Sequence, residues 1–216
     1  MKSPKYPNAW KNYPNPQVIP YAQALGRLLV RVWGALSLHP VILTDFDAAQ
    51  PLPKPLIIAA NHQSILDPFA IAGFIPNRVF RRIQPVRFMT GNGFLQLRVI
   101  GRLGWIIGCF PAQTALHVSY GTRRAQEILA SGGTVVIFPE GRRTLARQSP
   151  AKAGIIMLAE FPTVWIMPVH VNWHLEGGKR RLVLRYGQPR QSSGQTAQEW
   201  LNTIYDLPLP ATPRSQ

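Results

Sequence analysis

The sequence predicts a single α/β domain with a mixed, largely parallel central sheet flanked by helices, plus an N-terminal amphipathic helix. Short apolar runs of strand length alternate with helical segments, the pattern of a sheet whose strands return through crossover helices. The chain has 216 residues, 46% hydrophobic and 15% charged, which is ample apolar material for one such domain.

Residues 1–20, MKSPKYPNAWKNYPNPQVIP, are rich in Pro and Asn and lack the apolar stretch of a signal peptide, so they read as an extended arm. Residues 21–38 have helical periodicity. Leu25, Leu29, Val32 and Leu36 form one stripe, Arg27 and Arg31 lie opposite, and Trp33 flanks the apolar face. Such a helix either packs its stripe on its own domain or lies on a membrane surface. Residues 21–50 thus read as an amphipathic helical appendage, followed by a link through Pro51, Pro53 and Pro55.

The domain proper is expected over 51–206. LIIAA (56–60) is a buried strand, NHQS a polar turn, and ILDPFAIAGFI a helix. GTRRAQEILASG is a helix closed by Gly132 and Gly133, GTVVIFPEG a buried strand, AKAGIIMLAE a helix and VWIMPVHVNW another strand. VHVNWHL and RLVLRYG, around EGGKR, read as a hairpin at the sheet's edge. RVFRRIQPVR (78–87) reads as a basic loop and 207–216 as a loose tail.

Lys and Arg number 24 against 9 Asp and Glu, a net charge of +15, so the surface attracts polyanions. A nucleic-acid partner is not expected: the basic residues are dispersed and the tryptophans mostly lie in apolar runs, with no recognisable binding module. An anionic membrane surface or a phosphorylated substrate fits the charge equally well. Cys109 is the one cysteine, so no internal disulfide can form, and its apolar context predicts a buried, inert thiol. Residues 103–122 carry no formal charge, but Pro111, Gln113, Thr114 and His117 interrupt them, so no membrane span is predicted. Hydrolase chemistry lacks a G-x-S-x-G elbow, and Ser64 suits a turn or cap. His170 and His174 share a face without a third ligand at a useful spacing, so no metal site is expected.

Two clusters could carry chemistry. His62 follows the LIIAA run, where open α/β sheets place their ligands, and a neutral imidazole there can take a proton from a hydroxyl. A carboxylate on its other nitrogen would fix the tautomer, and Asp67 is the local candidate. Asp67-Pro68 is also an ordinary helix-start pair, so spacing alone leaves both readings open. The second cluster is FPEGRRT (138–144), where Glu140, Gly141, Arg142 and Arg143 follow a buried strand. Arginine forks suit phosphate oxygens, and glycine permits close approach to the backbone. In a parallel sheet both clusters fall on one edge.

Together these stretches resemble the glycerolipid acyltransferases, the family of 1-acylglycerol-3-phosphate acyltransferase. NHQSILD is similar to their N-H-x-x-x-x-D motif, and FPEGRRT to F-P-E-G-T-R-S, with Arg142 for threonine and Thr144 for serine. AKAG (151–154), with Lys152, resembles the family's lysine-glycine helix start, and IMPVHV (166–171) its last block. The resemblance spans about 50–190. It implies that His62 is the general base, held by Asp67, for attack of a lipid hydroxyl on an acyl thioester of coenzyme A or acyl carrier protein, with no cofactor and no acyl-enzyme. It implies that Glu140, Gly141, Arg142, Arg143 and Lys152 hold the acceptor, a lysolipid with lysophosphatidic acid as the default. A membrane-associated protein on the cytoplasmic side follows, peripheral or monotopic. One position departs: Phe110, in GWIIGCF, stands where the family has an arginine for glycerol phosphate. Arg142, Arg98 or Arg102 then substitutes, or the acceptor is another hydroxylated lipid. A non-catalytic lipid-binding relative is the remaining alternative.

Overall fold

The computed structural model describes residues 17–113, 120–144, 149–160, 163–191 and 194–210. Most of the expected arm, part of the 103–122 stretch and residues 211–216 of the expected tail lie outside the described residues. In chain order the elements are α1 (Ile19–Ser37), β1 (Val41–Thr44), β2 (Leu56–Ala60), α2 (Asp67–Phe74), α3 (Asn77–Ile83), β3 (Val86–Thr90), α4 (Asn92–Gln96) and α5 (Ile100–Ile106). They continue with β4 (Cys109–Pro111), α6 (Tyr120–Ala130), β5 (Thr134–Ile137), α7 (Gly154–Ala159), β6 (Trp165–Glu176), β7 (Lys179–Tyr186), β8 (Arg190–Gln191) and α8 (Ala197–Tyr205).

Among the described residues eight strands form one sheet, in the order β1-β7-β6-β2-β5-β3-β4 with β8 beside β6. β2 is central, parallel to β5 on one side and to β6 on the other, and all of its residues are buried. A strand covered on both faces needs a continuous apolar run, which is what LIIAA supplies. Ile58 and Val136 face a layer that includes Ile71 of α2 and Phe80 of α3. Ile57 and Val135 face Leu129 of α6, Leu158 of α7 and Trp200 of α8. The sheet is therefore the middle of three layers.

Four expectations change. The β6–β7 hairpin forms, with Gly177 and Gly178 at positive φ in its turn, but it does not end the sheet. β1 pairs in parallel with β7 and becomes the edge strand. Consequently residues 21–50 are no separate appendage, because β1 enters the sheet and α1 packs on α2. That packing is close: a side chain at Gly34 would meet the Phe74 ring, and one at Gly73 would meet Val30.

The helix itself is turned over relative to an inward-facing apolar stripe. Gln23, Arg27 and Gly34 are buried, while Leu25, Leu29, Val32 and Leu36 are exposed. Arg27 donates to the carbonyls of Ala72 and Ile75 and to Asn77 Oδ1 at 2.9 Å, and lies over the Phe80 ring. The last turn of α2 offers carbonyls without intrahelical donors, so a cation there satisfies them and meets the negative end of the helix dipole. Gln23 similarly donates to Ile107 O at 2.7 Å and accepts from Val86 N at 3.1 Å. Burial, and next the neighbouring Arg31, lowers the Arg27 pKa to about 10.

The basic stretch 78–87 is not a loop. Arg78, Arg81 and Arg82 lie on α3, and Arg87 is a buried residue of β3 whose Nε donates to Gly108 O at 3.0 Å. Cys109 is buried in β4, which pushes its thiol up to about 12. Helix α8 was not anticipated. Its start is a capping box, in which Thr196 Oγ1 accepts from Glu199 N and the Glu199 carboxylate accepts from Thr196 N.

Candidate active site

Because β2 and β5 run parallel as neighbours, with Ala59 opposite Ile137, the segments that follow them emerge on the same sheet edge. His62 and the FPEG turn consequently meet. The imidazole stacks on the Phe138 ring, with centroids 4.1 Å apart. Thr144 N donates to His62 O at 2.7 Å, and His62 N donates to Glu140 Oε2 at 2.8 Å. On the other flank, Asn61 exchanges two hydrogen bonds with the Val171 backbone of β6. The backbone of the histidine is thereby fixed from both neighbouring strands.

The side chain is fixed by Asp67. His62 Nδ1 lies 2.8 Å from Asp67 Oδ2, and the carboxylate is fully buried. Oδ2 also accepts from Gln63 N and Ser64 N, each at 2.7 Å, while Oδ1 accepts from Trp173 Nε1 at 2.7 Å. Asp67 is the first residue of α2, but its oxygens bond to the preceding turn rather than capping the helix. Of the two readings that spacing left open, the paired one describes the geometry. A carboxylate acceptor opposite Nδ1 places the ring proton there and leaves the Nε2 lone pair free.

His62 lines a cavity of about 1660 Å³. Its lining includes the apolar side chains of Val30 from α1, Phe69 from α2, Phe88 from β3, Ile107 and Leu158. Gly141, Arg142, Arg143 and Lys152 line it too. Gly141 has φ +64, and a Cβ there would stand 2.7 Å from the Lys152 side chain. Arg142 donates through Nε to Ser149 Oγ at 2.6 Å, while Arg143 and Lys152 are exposed along the lining.

Glu140 is placed differently from the acceptor-holding position that the resemblance implied. It is 1% exposed and does not line the cavity. Oε2 accepts from His62 N, and Oε1 accepts from the hydroxyls of Thr144 and Tyr205, the latter at 2.8 Å. Its carboxylate therefore braces the His62 loop from behind. Phe110 is buried on β4 in the layer facing α6, so it makes no approach to a headgroup. Of the three arginines that could stand in for it, Arg142 lines the cavity, and Arg98 and Arg102 do not. Among the described residues His174 Nδ1 is buried without a hydrogen-bond partner, and His170 lies within hydrogen-bond distance of Leu207 O, so neither joins the His62–Asp67 pair.

Trp173, Tyr205 and the α1 lining residues escaped sequence reasoning. Trp173 sits in an apolar strand whose pattern gives no sign that its N–H seeks a carboxylate. For Tyr205 a signal existed: the Thr196–Glu199 spacing announces a helix, and Tyr205 closes it.

The α/β domain thus presents a carboxylate-oriented histidine at the ends of parallel strands, beside a cavity lined by both apolar and cationic side chains. The chain belongs to the acyltransferase family, whose model, described as Acyltransferase, matches residues 44–172. It is 26% identical over 155 residues to the chloroplastic 1-acyl-sn-glycerol-3-phosphate acyltransferase BAT2 of Brassica napus, covering 69% of this chain and 43% of that protein. The chloroplastic LPAT1 of Arabidopsis thaliana, also a 1-acyl-sn-glycerol-3-phosphate acyltransferase, is 24% identical over 156 residues, with 69% and 42% covered. A probable 1-acyl-sn-glycerol-3-phosphate acyltransferase of Mycoplasma pneumoniae is 26% identical over 158 residues, with 69% and 56% covered. The matched region thus spans only 42% to 56% of these relatives' length. The crystal structure of the 1-acyl-sn-glycerophosphate acyltransferase PlsC of Thermotoga maritima superposes with a TM-score of 0.58 at 18% identity, covering 88% of this chain and 76% of that one. The two share a fold.

Proposed function

We propose that this chain transfers a fatty acyl group from a coenzyme A or acyl carrier protein thioester to a hydroxyl of lysophosphatidic acid or a related lysolipid. The observation that carries the proposal is His62 Nδ1 at 2.8 Å from a buried carboxylate, at a cavity lined by apolar and cationic side chains. Nε2 of His62 takes the proton of the acceptor hydroxyl as its oxygen attacks the thioester carbonyl carbon. The tetrahedral intermediate collapses with cleavage of the C–S bond, the thiolate leaves, and the imidazolium returns its proton to the sulfur. Asp67 holds the ring in the base tautomer and stabilises the imidazolium. Arg142, Arg143 and Lys152 take the acceptor's phosphate, while the acyl chain lies along the apolar lining residues. Glu140 orients the loop rather than the substrate.

The reaction takes place at a membrane surface, cytoplasmic side, to which the exposed leucines of α1 turn the chain. Among the described residues no helix is long and apolar enough to cross a membrane. A second reading, an acceptor other than a glycerol phosphate, is favoured by the burial of Phe110 where the family's arginine is expected. Purified protein supplied with labelled acyl-CoA or acyl carrier protein thioesters and a panel of lysolipids tests both. The expectation is an acylated lysolipid, with a loss of about 10²-fold or more for His62→Ala. Equal turnover by the variant would remove His62 from the chemistry, and a product lacking phosphate would select the second reading.

A further inference from the structure

A second recess, of about 870 Å³, lies between α1 and α3, and Arg27 lines both it and the catalytic cavity. Arg27 and Arg31 stand one helical turn apart on α1, and Asn77 and Arg81 one turn apart on α3, so each pair shares a helix face, and all four line the recess. Among the described residues no carboxylate balances them: none of the chain's 9 acidic side chains lines the recess. Arg27 is committed to the carbonyls at the end of α2, and Arg31 reaches Asn77 Oδ1 only at 3.4 Å, an oxygen already bonded to Arg27. Arg81 is exposed and forms no ion pair among the described residues.

Three guanidinium groups without a counter-charge attract an anion, and their planar forks match phosphate oxygens. The rim identifies the source of that phosphate. Tyr21 and Leu28 line the recess and are 77% and 58% exposed, and Leu28 adjoins the outward leucine stripe of α1. A freely dissolved ion gains nothing from an apolar rim, whereas a lipid places its chains there.

We infer that this recess binds the phosphate of an anionic phospholipid, seated between Arg31 and Arg81, with its acyl chains against the apolar face of α1. It is a site distinct from the substrate's cationic lining at Arg142, Arg143 and Lys152. The inference rests on the reading of the chain as an enzyme that works at a membrane surface, and binding rather than turnover tests it.

The experiment is co-sedimentation of the full chain with vesicles of phosphatidylcholine, alone or mixed with phosphatidylglycerol. Arg31→Gln/Arg81→Gln is compared with Arg180→Gln/Arg190→Gln, which removes the same charge from exposed positions on β7 and β8. All four side chains are exposed, so unchanged thermal midpoints are expected. The first double variant is expected to lose about 30-fold in partitioning onto the anionic vesicles, the second much less. Equal losses would mean diffuse attraction by the net charge and would overturn the site. Displacement of the wild type by millimolar inorganic phosphate, with the Arg31/Arg81 variant unaffected, would reassign the recess to a soluble anion. If the wild type bound neither vesicle while still acylating a detergent-dispersed lysolipid, both the membrane-surface reading and the site would fail, and the acyl-transfer reading would stand.

Discussion

Replacing Tyr205 by phenylalanine removes one oxygen atom, and its consequences can be worked out from the structure. The hydroxyl donates at 2.8 Å to Glu140 Oε1, and the carboxylate is buried, so water cannot replace the lost donor. A hydrogen bond to a charged partner contributes about 1.5–3 kcal/mol. For a chain of this size each kcal/mol moves the melting point about 2–4 °C, which gives a fall of about 3–12 °C. The ring remains against His170, so packing is little changed. Glu140 is also the acceptor for His62 N, so a carboxylate short of one donor shifts the loop that carries the proposed base. A tenth to a hundredth of the wild-type kcat is expected from that shift. KM for the acceptor stays constant, because Arg142, Arg143 and Lys152 are untouched. The control is Thr196→Ala, which costs α8 its capping box, about 1 kcal/mol, without reaching Glu140. Calorimetry and steady-state kinetics on both variants decide the matter. If Tyr205→Phe melts early yet turns over as fast as Thr196→Ala, Tyr205 serves the fold alone.

Asp67→Asn keeps the shape of the pair but replaces an acceptor by a group that can donate towards Nδ1. It is expected to lower kcat by 10²-fold or more, with substrate binding retained in a direct titration. Gly141→Ala forces a Cβ towards Lys152 in a backbone of φ +64, and should raise KM for the acceptor several-fold with a stability cost of about 1 kcal/mol or more. Gly34→Leu drives a side chain into the Phe74 ring and should cost about 1–3 kcal/mol or more by denaturant unfolding. For Cys109 the sign runs one way. The unfolded thiol ionises near its ordinary value of 9.0 and the folded one, raised by burial, near 12, so the stability that its protonation confers is present below 9.0 and is lost as pH rises to 12. Alkylation by iodoacetamide at pH 8 should accordingly require unfolding.

Much of the site was legible because it lies where period and chemistry agree. LIIAA and TVVI are runs too short for helices and too apolar for one-sided strands, so two buried neighbours followed by His62 and by Glu140 could be placed together before any coordinates. Asp67 was readable only as one of two things, since an aspartate before proline serves a helix start as well as a catalytic pair. The direction of α1 was not legible. Periodicity fixes the phase of an amphipathic helix, but which face turns inward is decided by its neighbour, here the carbonyls at the end of α2 that Arg27 satisfies. The partners of Glu140 were not legible for a related reason: a loop carboxylate looks the same in sequence whether it faces a cavity or a tyrosine 65 residues onward. β3 and β4 escaped because Arg87 interrupts one run and the other is only three residues long.

The bracing of Glu140 by α8 also bears on when the enzyme becomes competent. The sheet partners of β2 are supplied by β5 and β6, so the framework of the site can assemble before α8 docks. The tyrosine hydroxyl that completes the hydrogen bonding of Glu140 arrives from the far end of the fold, across a long loop closure. Recovery of acyl transfer after dilution from denaturant should therefore trail recovery of the sheet's far-ultraviolet signal. A preparation with native secondary structure can thus still lack His62 held in position, and turnover is the stricter report of a finished molecule.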